Sequence, residues 1–105
     1  MKSDYRIEKW NKNSNPNVEE LRQQMEDEGF SVFQWSDNPG RNYGRHKHGE
    51  DQSHWIISGK LELKIEDFGT VILEAGDRDF MPANTIHSAR VVGDEAVIYL
   101  IGAKI

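Results

Sequence analysis

The sequence predicts an all-β barrel or jelly roll with one short helix near its N-terminus. Three observations lead there. The chain has 105 residues, 36% of them hydrophobic and 30% charged, which fits one domain with a thin core. From Phe30 onward the apolar residues recur with a period of two. Clusters of Gly, Asn, Asp and Pro then interrupt short extended runs at close, regular spacing.

Residues 1–36 read as a strand, a helix and a second strand. The helix begins at Asn15-Pro16-Asn17, which supplies an N-cap with proline expected in the first turn, and Glu19 and Glu20 suit the positive end of the helix dipole. Val18, Leu21 and Met25 form a narrow apolar stripe, and Gly29 suits the left-handed stop, so the helix should brace the outside of the barrel. Phe30 to Trp35 reads as a strand that stops at Asp37-Asn38-Pro39-Gly40. Lys60 to Glu66 alternates without a fault, and Asp67-Phe68-Gly69 turns it into Thr70 to Glu74. Gly76-Asp77, Ala83-Asn84 and Gly93-Asp94 punctuate three further segments. The last, Ala96 to Ile101, is apolar at nearly every position, as a strand covered on both faces would be. Ile56, Leu61, Leu63, Ile65, Val97 and at least one of Ile72 or Phe80 are expected in the core.

A net charge of −5 and the lack of any basic run argue against nucleic acid. The longest apolar stretch is far too short to cross a bilayer. The N-terminal Met1-Lys2-Ser3-Asp4 has no apolar core of the kind a secretory signal needs, which favours the cytoplasm. The chain has no cysteine, so thiolate chemistry and disulfides are excluded.

Chemistry concentrates between Gly40 and Gln52. His46 and His48, two apart on an extended chain, project from one face and can reach one point, although such a pair also arises by chance in polar loops. A second stretch, Gly76 to His87, runs through a turn, a short strand and another turn to end on a histidine. Together these stretches resemble the cupin family. Its first motif, Gly-x5-His-x-His-x3-Glu-x6-Gly, matches at Gly40, His46, His48 and Gly59, with Gln52 in place of Glu. Its second, Gly-x5-Pro-x-Gly-x2-His-x3-Asn, matches at Gly76, Pro82 and His87, with Asn84 and Val91 replacing Gly and Asn. The motifs, at 40–59 and 76–91, and the hairpin between them cover about half the chain.

The resemblance implies a double-stranded β-helix whose mouth holds one divalent ion on His46, His48, Gln52 and His87. Nickel, zinc, iron, manganese and copper all suit that donor set. Four neutral donors would leave the ion close to its full charge, favouring polarisation of a carbonyl and attraction of anions. An amide cannot act as a general base near neutral pH, so cupin dioxygenases that use a metal-bound Glu are poorer comparisons. The set is similar to that of small cupins of uronate metabolism, which open unsaturated sugar-acid rings. Gln52 has an alternative as a strand residue near the ion that never ligates it.

His54 shares the strand parity of Gln52 and would point inward. It is a candidate proton donor or acceptor, or a core histidine satisfied by a hydrogen bond. Arg41, Arg45, Arg78 and Arg90 lie near the motifs and could receive a carboxylate, or be solvated surface residues. Tyr43 and Tyr99 are further pocket candidates. The expected partner is a small-molecule ligand, and the expected assembly a homodimer. Two functions fit: an isomerase- or lyase-type enzyme acting on an oxygen-rich anion, and a binding or sensing module whose ion is structural or orients a ligand. A storage protein is disfavoured by the small size.

Overall fold

The double-stranded β-helix forms because alternating strands must bury one face and find it in each other. In the computed structural model, which describes residues 4–104, nine strands and one helix follow in order. These are β1 (Arg6–Glu8), α1 (Val18–Asp27), β2 (Ser31–Asp37), β3 (Asn42–His46), β4 (Gln52–Ser58), β5 (Lys60–Ile65), β6 (Gly69–Leu73), β7 (Arg78–Phe80), β8 (His87–Val92) and β9 (Val97–Ala103). One sheet has the order β1-β7-β4-β9-β2, the other β3-β8-β5-β6. Met1, Lys2 and Ser3, which entered the reading of the N-terminus, lie outside the described residues. None of the described helices is long and apolar enough to span a membrane.

The inner faces close on Ile56, Leu61, Leu63, Ile65, Leu73, Val91, Val97 and Tyr99, all buried. The expected alternation therefore holds along β5, but its partner β6 differs from expectation. Ile72 pairs with Glu62 on the outer side of the β5–β6 hairpin and is 46% exposed. Phe80 is half-buried and packs with the helix cluster on the outside of the barrel. Leu73 takes the buried place instead, because register fixes which residues of β6 face inward.

The outer face of the five-stranded sheet is covered by α1. Leu21 and Met25 meet Phe30, Trp55 and Leu100 there. This explains the unbroken apolar run of β9: Val97 and Tyr99 serve the barrel, Leu100 serves the helix. A Cβ at Gly102 would come within 2.6 Å of the Met25 side chain, so the helix sits tight on the sheet. The helix is capped by Asn17, whose side chain accepts from the Glu20 amide at 3.0 Å. Pro16 thus precedes the cap, two positions before the first turn where it was expected.

Arg78 is the fold's most unexpected residue, being 1% exposed. Its guanidinium lies 4.2 Å from the ring centres of both Trp55 and Phe80 and pairs with Glu28 at 3.0 Å, just beyond the helix. Ser53 Oγ accepts from it as well. The residue expected as a pocket or surface arginine instead pins the helix end to the sheet.

Leu63→Ala should lower the free energy of unfolding by about 2–5 kcal/mol in denaturant melts, the usual cost of a buried leucine truncation. Ile72→Ala should cost much less, because its side chain is already half in water.

Candidate metal centre

Three histidines meet where the two sheets open. His46 ends β3 and is the cross-strand partner of His87, which opens β8. Their ring centres are 4.2 Å apart. His48 lies beyond the end of β3, so the two motif histidines do not share one strand as the extended-chain reading expected. A register shift between Tyr43 and His46 and the loop after β3 still bring His48 to 4.9 Å from His46 and 5.3 Å from His87. One ligand nitrogen from each residue lies within 4.8 Å of the others. With metal–nitrogen bonds of about 2.0–2.1 Å, small ring rotations would seat all three on one ion.

The surrounding backbone orients two of these rings. His46 Nδ1 is 2.6 Å from the Gly44 carbonyl and His87 Nδ1 is 2.9 Å from that of Thr85. A carbonyl can only accept, so both Nδ1 atoms carry a proton, and in the neutral ring this leaves the lone pair on Nε2. Burial, helped by the neighbouring histidines, pushes the His87 pKa down to about 4, and that of His48 below its usual range. Both rings are therefore neutral near pH 7, as ligation requires.

The second motif is held against the first by a backbone bond from the Asn84 amide to the His48 carbonyl, 2.7 Å. Asn84 has φ 65°, so it does adopt the left-handed conformation for which the family uses glycine. Gly59 and Gly76 have positive φ too, and a Cβ at Gly59 would lie 2.5 Å from the Ala96 carbonyl oxygen. Val91, in place of the family's Asn, is buried in the core.

Gln52 opens β4 and is buried beside this cluster. Its Nε2 donates to a Glu50 carboxylate oxygen at 2.8 Å. Among the described residues its Oε1 has no hydrogen-bond partner although it is buried. An amide oxygen left bare in this way costs free energy unless something outside the chain meets it. The residues present thus fit a cation.

The cavity has a volume of about 300 Å3 and is lined by the three histidines, Gln52 and His54, with Leu61, Leu63, Ala89 and Ile101. Phe33, Trp35, Tyr43 and Tyr99 form the remaining wall. Among the described residues no Arg or Lys lines it. Arg41 lies over the Tyr43 ring, Arg45 pairs with Glu66 and Arg90 pairs with Glu62. None of the four arginines is placed to receive a carboxylate in the cavity.

His54 does face inward, and its partner escaped the sequence reading. Asp79, fully buried on β7, accepts from His54 Nδ1 at 2.9 Å, from the His54 amide at 2.7 Å and from the Tyr5 hydroxyl at 2.8 Å. Burial alone would lower the His54 pKa, but the charge and hydrogen bond of Asp79 raise it. Burial, then the same carboxylate, raises that of Tyr5. Parity alone could not assign Asp79: it faces in because Arg78 and Phe80 face the helix, which only the structure shows. Glu50 stands two residues before Gln52 and was legible as its partner, whereas Tyr5 is 74 residues from Asp79 and gave no local sign.

Residues 33–101 match the Cupin domain family, to which this chain belongs. Similar solved structures include a chain from the crystal structures of the DMSP lyases RdDddP and RnDddQII, at 24% identity and a TM-score of 0.66 over 72% of this chain. An uncharacterised conserved protein with a double-stranded β-helix domain from Klebsiella pneumoniae is 27% identical over 70% of this chain, with a TM-score of 0.61. KdgF from Halomonas is 24% identical over 73%, with a TM-score of 0.60. The match spans 38%, 61% and 71% of those chains, less than two thirds of the first two. No curated protein matches the sequence.

The histidine cluster gives a direct expectation for metal analysis. Purified protein supplied with a divalent metal should retain close to one ion per chain by inductively coupled plasma measurement. His46→Ala and His87→Ala should each lose it, and full occupancy in the double variant would remove this site from consideration.

Proposed function

We propose that this cupin binds one divalent ion on His46, His48, His87 and Gln52 and acts on a small oxygen-rich anion, a sugar acid or a dicarbonyl compound. The observation that carries the reading is the bare, buried Oε1 of Gln52 beside three histidines whose ligand nitrogens lie within 4.8 Å of one another. Nickel, zinc, iron, manganese or copper at this position would supply Lewis acidity to a carbonyl or carboxylate oxygen. Because the Glu50 carboxylate can only accept, it holds the NH2 end of Gln52 and leaves Oε1 as the ligating end. Glu50 also brings a negative charge one hydrogen bond from the donor set, so the ion is less uncompensated than four neutral donors alone would leave it.

His54 supplies the proton chemistry in this reading. Asp79 takes its Nδ1–H, which leaves Nε2 to donate or accept a proton at a molecule in the cavity. Tyr5 and the His54 amide fix Asp79 in turn. A polarised carbonyl beside a positioned acid–base group suits isomerisation, ring opening or elimination better than oxidation. In the same reading the chain works in the cytoplasm as a homodimer. A second reading, a binding or sensing module, draws on the same network, since Tyr5–Asp79–His54 also ties the N-terminal segment to the barrel.

A screen of the metal-loaded protein against sugar acids and diketones separates the two. Turnover that vanishes in His46→Ala and falls by about 10²–10⁴-fold in His54→Asn, with metal content unchanged, supports the enzyme. Binding without turnover across the screen supports the module.

Gln52 tests the ligand set independently. Gln52→Glu should keep the ion or hold it more tightly against a chelator, while weakening anionic ligands. Gln52→Ala should release it more readily. A metal-bound structure with Gln52 Oε1 well outside bonding range would overturn the four-donor centre.

A further inference from the structure

The cavity lining has two chemically distinct parts. His46, His48, His87 and Gln52 present nitrogen and oxygen donors. Phe33, Trp35, Tyr43 and Tyr99 present aromatic rings. Phe33 and Trp35 lie two apart on β2, so both face the cavity, and they are 49% and 46% exposed. Their ring centres are 6.3 Å apart at 86°, a right-angled apolar corner.

The polar atoms of this wall are already engaged. Asp37 accepts from the Tyr43 hydroxyl at 2.9 Å, from the Tyr99 hydroxyl at 3.3 Å and from Trp35 Nε1 at 3.2 Å. Trp35 Nε1 also points at the Tyr43 oxygen, 3.1 Å away. A ligand carrying several hydroxyls would lose water along this wall and find few free partners, which is costly for each group buried unpaired. An apolar body would instead remove water from Phe33 and Trp35 at a gain proportional to the area covered. Among the described lining residues no Arg or Lys stands at this wall to receive an anionic head, whereas the histidines offer ring nitrogens.

We infer that the site selects an oxo acid or dicarbonyl compound with an aryl or alkyl body, which lies against Phe33 and Trp35 while its oxygens reach the histidines. The inference rests on the proposed metal-centred function and narrows it, favouring the dicarbonyl side over the sugar acid.

The test uses the full-length protein loaded with zinc and isothermal titration with four probes. Phenylglyoxylate and glyoxylate share a head and differ by the ring; glucuronate carries hydroxyls, and glycine betaine carries a cation. Phenylglyoxylate is expected to bind at least about tenfold more tightly than the other three. Phe33→Ala and Trp35→Ala should each shrink its advantage over glyoxylate severalfold. Phe33→Leu, which keeps an apolar contact, should retain most of it, and thermal melts check that each variant is folded. Equal binding of phenylglyoxylate and glyoxylate, tighter binding of glucuronate, or an advantage indifferent to both aromatic substitutions would overturn the inference. Tighter binding of glycine betaine would overturn it in favour of a cation cage. Metal-free protein keeps the two proposals apart. If glyoxylate binds equally with and without zinc, the metal-centred reading fails; if it needs zinc but the ring adds nothing, the apolar-body inference alone fails.

Discussion

The open end of this barrel depends on one cross-strand pairing, His46 opposite His87 in the β3–β8 ladder. Side chains directly opposite in an antiparallel pair stand within about 4.5–5.5 Å, which is the separation one metal ion needs from two imidazoles. Strand pairing alone therefore brings together residues 41 positions apart, with no dedicated loop. His48 is then added by the chain running on past the strand end, and the Asn84 amide fastens that loop to the second motif. Asn84 can serve there because its left-handed conformation is one that asparagine tolerates.

The same logic of alternation sets the floor of the site. On β7, Arg78 and Phe80 face the helix while Asp79 between them faces the barrel interior behind His54. On β4, Trp55 faces the helix while Gln52, His54 and Ile56 face inward. A slip of one residue in β7 would put a carboxylate against Trp55 and a guanidinium beside His54. The buried Arg78, held by two rings, Ser53 and Glu28, resists that slip, since a buried charge without its partners is expensive. A residue on the far side of the sheet thus keeps the His54–Asp79 pair in register with the cavity.

Polar groups at the mouth are organised around carboxylates. Glu50 orients Gln52, Asp79 orients His54, and Asp37 gathers Trp35, Tyr43 and Tyr99 across β2, β3 and β9. Each acid fixes its neighbours in a chosen direction, so the cavity is preorganised in both its donor part and its aromatic part. The result is a pocket whose charge sits behind its walls and whose surface is histidine, amide and aromatic ring.

The sequence by itself determined the strand alternation, the turns and the capped helix, because these follow from local periodicity, while its likeness to the cupin motifs singled out His46, His48, Gln52 and His87. Parity also placed His54 inward and Trp55 outward, as the structure has them. Only the tertiary structure decided what depends on contacts between distant segments. It set Leu73 rather than Ile72 in the core, buried Arg78 under the helix, and joined Tyr5 to Asp79 across 74 residues. It also turned two half-exposed aromatics of β2 into a cavity wall. Periodicity says which side of a strand a residue occupies; only the packing of one strand against another says what waits on that side.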